Sequence, residues 1–251
     1  MESRNAERVR LRAERAKLKA TAPEGLAEAW AMIESLWSGT IARARKQPEP
    51  VLHEQVNGEW SFVQTHRHLV LATDCWLRRM VKGIASPYHP WGLGGSWLTS
   101  PRRWGLDPDA DPSLDQVLDL RRERMDEVGD VIAGATAQEL ERNCIPPSSP
   151  GHPRKTHTVL HCLHVVLNEE WQHHRYAVRD LAVLETASLS ANVAELGPCR
   201  AVASRNRYRR RLPGGTATGN GRSSTMRFIT MVELSRCTPG RAPSFSSRSA
   251  W

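Results

Sequence analysis

The sequence predicts an all-α protein: a four-helix bundle with a long crossover between its second and third helices and a disordered C-terminal tail. Three observations carry this expectation. From Thr156 to Glu185, Leu160, Leu163, Leu167, Glu170, His174, Ala177, Leu181 and Leu184 recur at alternating steps of three and four, the spacing of one helix face. Three earlier stretches, opening near Pro23, Ser61 and Ser113, repeat apolar residues with the same period. Beyond Thr186 the periodicity stops and Ser, Gly, Pro and Arg take over, a composition that buries too little apolar surface to fold.

These breaks divide the chain into a basic N-terminal arm (1–22), a bundle (23–186) and an Arg/Ser/Gly/Pro-rich tail (187–251). The arm holds seven bases against three acids within residues 1–20 and no stripe to bury, which reads as a frayed helix or a disordered segment. The first bundle helix follows Pro23 and runs to about Gln47, with Leu26, Trp30, Ile33, Trp37 and Ile41 on its apolar face. Pro48 and Pro50 end it, and a turn at 56–59 leads to a second helix capped by Ser61. Phe62, Leu69, Trp76 and Met80 mark its main stripe, together with His66. His68 falls on a flanking stripe of small residues, Ser61, Thr65, Ala72 and Cys75, where another helix can approach closely.

Residues 83–112, rich in Gly, Pro, Trp and Asp, form the crossover. His89, Trp91 and Trp97 are placed there either to cover a pocket mouth or to close the bundle end. A third helix spans Ser113 to about Ala133 on Leu114, Val117, Leu120, Met125, Val128 and Ile132. Its Arg121, Arg122, Glu123, Arg124, Asp126 and Glu127 read as a solvated face. A short helical segment and a Pro-rich loop precede the fourth helix. On that helix His157, His161 and His164 are spaced as a ligand ladder would be, but the row lies opposite the seam and reads as a solvated or partly exposed face rather than a second metal site.

Charge follows the same division. Residues 1–186 carry 24 Lys and Arg against 25 Asp and Glu, a net of −1, whereas residues 187–251 carry 11 Arg against two acids, a net of +9. The basic balance therefore belongs to the tail, and a nucleic-acid partner is expected only as weak polyanion binding through it, around Arg209, Arg210 and Arg211. Five cysteines with no C-x-x-C pair give neither a disulfide framework nor a zinc knuckle. The absence of a long apolar run and of a secretory signal makes a cytoplasmic protein with no membrane partner the expectation, and exposed bundle edges allow a homodimer.

Glu170 and His174 break the seam at its centre, each within roughly 25° of the stripe axis on a wheel of about 100° per residue. An ionised carboxylate in a helical core loses several kcal/mol of hydration unless a partner compensates. A divalent cation is one such partner, since a Glu and a His four residues apart project from adjacent turns. A buried Glu–His hydrogen bond is the other. Glu169 and His173 share that spacing but lie some 75 to 115° off the seam, on the flank. Periodicity prefers His66 over His68 as the third ligand.

The stretch GEWSFVQTHRHLVLATDCWL, followed about a hundred residues later by LNEEWQHHRYAVRDL, resembles the DinB-like four-helix-bundle metalloproteins, among which mycothiol-dependent maleylpyruvate isomerases and bacillithiol transferases are grouped. The likeness covers residues 24–186 and implies a metal held by His68, Glu170 and His174, with His68 eight residues after Trp60. Arg175 and Tyr176 continue the isomerase-like order. Zn²⁺ is the first choice of ion, with Ni²⁺, Fe²⁺ or Mn²⁺ as alternatives. Mycothiol or a similar small thiol and a small electrophile are the implied partners, in S-transfer or thiol-assisted isomerisation. A non-enzymatic bundle stabilised by its metal is the rival expectation.

Overall fold

The structure, a computed structural model, describes residues 2–195. It is all-α, with one two-residue antiparallel ribbon. Helices α1 (Glu2–Lys17), α2 (Pro23–Ala44) and α3 (Glu49–Leu52) lead into α4 (Phe62–Thr73), which continues as a π-helical stretch, Asp74–Val81. After the crossover come α5 (Leu114–Ala133), α6 (Ala137–Glu141), strands β1 (Asn143–Cys144) and β2 (His157–Thr158), and α7 (Val159–Glu195).

Four of these helices form the bundle. α2 lies against α7 and α5, and α4 lies against the same two, so α2 faces α4 and α5 faces α7 across the diagonals. The seam read from the sequence does point inward: Leu163, Leu167, Ala177 and Leu181 are buried with Leu26, Ile33, Trp37, Leu69 and Val117 in one core. Ser61 and Ser113 each start a helix with a capping box, in which the Ser hydroxyl accepts from the amide three residues on and the Gln there accepts from the Ser amide. Between α3 and α4 the chain turns through Asn57 and Gly58, both in the left-handed region, and delivers Trp60 to the start of α4.

Three expectations change. The arm takes the helical of its two expected forms, as the 16-residue α1, but it also docks, through partly buried Leu11 and a hydrogen bond from Trp171 Nε1 to Glu14 Oε2 of 2.9 Å; the stripe is too sparse to stand out among the charges. The α5 face is not uniformly solvated. Arg121 and Arg124 are buried because each meets a buried carboxylate, Glu170 and Asp74 respectively. Finally, α7 continues nine residues past Thr186, to Glu195, so the boundary drawn there does not end the helix. The rest of the expected tail lies outside the described residues. Among the described residues no helix is long and apolar enough to cross a membrane.

Candidate metal centre

α4 and α7 run side by side, and where they meet three donor residues converge. His68 comes from α4, and Glu169 and His173 come from successive turns of α7. One ligand atom from each lies within 4.8 Å of the others, and this is the one such trio among the described residues. His68 Nε2 is 3.3 Å from Glu169 Oε2, and His173 Nδ1 is 3.4 Å from the same oxygen. All three side chains are buried.

The donors are held from behind. His68 Nδ1 lies 3.0 Å from the Leu93 carbonyl, which fixes Nδ1 as the donor and turns Nε2 toward Glu169. Leu93 is itself anchored, its amide donating to the Arg67 carbonyl at 3.2 Å. Arg67, buried, donates from its guanidinium to three main-chain carbonyls of the crossover, those of Trp91, Asp107 and Ala110. The long crossover thus serves the site through its backbone. Trp60 lies over the centre, its ring 4.3 Å from that of His68 and stacked 5.9 Å from that of His173.

Electrostatics favour a cation here. Burial pushes the Glu169 carboxyl up, but the hydrogen bond and charge of His68, with His173 beside it, prevail and hold it below the usual carboxylate value. His173 is lowered to about 4, by burial first and then by His68. At neutral pH the trio therefore includes a carboxylate and a neutral His173 imidazole. A buried carboxylate with two imidazoles and no Lys or Arg paired to it is a donor set that fits a divalent transition ion.

The sequence placed Glu170 and His174 in this role, and the structure does not bring them to His68. Glu170 accepts a bidentate pair from Arg121, at 2.7 and 2.8 Å. His174 Nε2 lies 2.9 Å from Thr40 Oγ1 and 3.2 Å from the Leu36 carbonyl, both on α2. The reason is geometric. The centre of the α7 stripe faces the diagonal helix and the α2 side, whereas a site shared with α4 forms on the flank that α4 covers. His66 likewise points across the bundle to Trp37, ring to ring at 4.8 Å, and neither of its nitrogens has a hydrogen-bond partner. Of the predicted ligands, His68 alone stands at the centre. The signal for the others was their identical i, i+4 spacing together with the flank position of His68.

An all-α bundle with a His, Glu, His trio between two of its helices defines a class of metal-associated helical protein. Within it, the chain belongs to the DinB superfamily, whose sequence model matches residues 10–177. No curated protein and no solved structure matches it significantly.

Proposed function

We propose that this chain holds one divalent ion at His68, Glu169 and His173 and uses it to activate a low-molecular-weight thiol toward a small electrophile, in S-transfer or thiol-assisted isomerisation. The observation that carries the reading is the donor set itself: three protein ligands leave coordination positions free, as catalytic rather than structural sites do. Held by His68, Glu169 and His173, a divalent ion would supply Lewis acidity, making a thiol or water beside it a nucleophile at neutral pH. Zn²⁺ suits two imidazoles and a carboxylate, with Ni²⁺, Fe²⁺ and Mn²⁺ as alternatives.

The remaining work falls to the chain. Leu93 and Arg67 keep His68 in one tautomer and orientation. Trp60 excludes water from one side of the two imidazoles and offers an apolar wall to a substrate. Tyr176, exposed and 5.8 Å ring to ring from His173, places an aromatic ring beside that imidazole. Arg179 ties the Trp60 segment to α7 through Glu59, at 2.6 Å.

Metal analysis of the purified protein, of Glu169→Gln and of His173→Ala, followed by assays with a panel of small thiols and electrophiles, tests the reading. At least one ion per wild-type chain, about one fewer in each variant, and turnover that is lost with that ion, is the expected result. Wild type without metal would end it. Metal without turnover would favour the second reading, an ion that only stabilises the bundle, which the close cover of Trp60 over His68 supports.

A further inference from the structure

A second group of imidazoles stands apart from the centre, eight residues earlier on α7, or about 12 Å along a helix. His157, in β2, and His161, in the first turn of α7, lie ring against ring, with centroids 4.4 Å apart and planes only 11° from parallel. The sequence read this pair as part of a solvent-facing row. The exposure holds, and in addition the buried Trp76 indole backs both rings, at 5.3 Å from His157 and 5.7 Å from His161. His161 is exposed and His157 half-buried, so the pair is held on one side and open on the other.

Two imidazoles this close can each turn a ring nitrogen to one cation once the rings rotate out of the parallel stack. Burial, and then the neighbouring His157 and His164, keep His161 below its ordinary value, so its ring is neutral and carries a lone pair at neutral pH. His152 meets the same indole at 5.7 Å and supplies a third imidazole to this patch. An all-nitrogen donor set selects borderline transition ions and disfavours Mg²⁺ and Ca²⁺, which seek oxygen.

We propose that His157 and His161 form a second, solvent-accessible site for a nitrogen-seeking divalent ion, Ni²⁺, Cu²⁺ or Zn²⁺, independent of the centre at His68, Glu169 and His173. An ion there bridges the β2 strand and the start of α7, and Trp76 lies in contact with both of its ligands.

Ni²⁺ titration of the full chain by calorimetry, with tryptophan emission recorded in parallel, tests the proposal. Wild type takes up two equivalents, Glu169→Gln/His173→Ala one and His157→Ala/His161→Ala one. The remaining equivalent in the Glu169→Gln/His173→Ala protein quenches emission, and that quench is lost when Trp76→Phe is added; Mg²⁺ produces neither signal. Because His161 is exposed and His157 half-buried, the His157→Ala/His161→Ala variant is expected to fold, and it decides the matter even if the other double variant does not. Ni²⁺ uptake unchanged in His157→Ala/His161→Ala overturns the site. So does a folded Glu169→Gln/His173→Ala protein that binds no Ni²⁺. A single wild-type equivalent that only His157→Ala/His161→Ala removes would uphold this site while contradicting the reading of the centre.

Discussion

Glu169→Gln and Glu170→Gln differ by one position on α7 and are expected to fail in opposite ways. Glu170 is 1% exposed and neutralises Arg121, itself 2% exposed, through two charge-assisted hydrogen bonds. Gln at 170 leaves the guanidinium buried without a counter-charge, which costs about 3–5 kcal/mol. In a fold of this size each kcal/mol moves the midpoint by about 2–4 °C, so Tm should fall by roughly 6–20 °C. Metal content should stay near the wild-type value, because Glu170 donates nothing to the trio. Glu169→Gln removes a ligand and should lose the ion, while the metal-free protein unfolds within a few degrees of metal-free wild type. The assay is paired thermal unfolding and metal analysis of both variants, each measured with and without a chelator. A folded Glu170→Gln protein that has lost its metal would refute the one-residue assignment. Replacing both members of the pair, Arg121→Met with Glu170→Leu, should recover most of the loss, since a buried ion pair is often matched by apolar residues of similar volume.

Other consequences follow from the same contacts. His66 is fully enclosed with both ring nitrogens unpaired, so His66→Leu should raise stability by about 1–3 kcal/mol in urea unfolding; a loss larger than about 1 kcal/mol would mean the imidazole has a partner there. Arg67→Gln should free the crossover and, through Leu93 and His68, weaken metal binding by about 10- to 100-fold, read by chelator competition; unchanged affinity would show that the crossover does not support the ligand. Acid should weaken the metal-free protein. His66, His152, His173 and His174 all titrate below their unfolded value of about 6.5, chiefly because burial disfavours the charged ring, so the unfolded chain binds protons that the fold refuses. Their stability contribution is therefore present above pH 6.5 and is lost as pH falls below it. At pH 5.5 the loss is about 1.4 kcal/mol for His173, which is lowered to about 4, and the other three act in the same direction. Equal urea midpoints at pH 7.5 and pH 5.5 would contradict this.

The fold was legible because each bundle helix carries its own period. Leu26, Trp30, Ile33 and Trp37 on α2, and Leu163, Leu167, Ala177 and Leu181 on α7, are core residues in the structure as their spacing requires. Ser61 and Ser113 announced two helix starts through their side chains alone. The site was half legible. Periodicity finds the centre of a stripe, and Glu170 and His174 are indeed buried on that stripe, but it does not say which helix faces which position. Glu170 meets Arg121, an arginine that composition alone assigns to solvent, and only the diagonal arrangement of α5 and α7 brings them together. The flank position of His68 pointed to the observed cluster, because a residue on the flank of α4 meets the flank of α7, where Glu169 and His173 stand. The support from Leu93 and Arg67 was beyond reach, since it passes through main-chain carbonyls that carry no side-chain signature.

The central claim is that one ion sits between α4 and α7. Anomalous diffraction from a crystal of the metal-loaded protein, recorded at the absorption edge of the bound metal, tests it most directly. The account predicts a peak at bonding distance from His68, Glu169 and His173, with the Arg121–Glu170 pair intact beside it. A peak at Glu170 and His174, or none near His68, would contradict it.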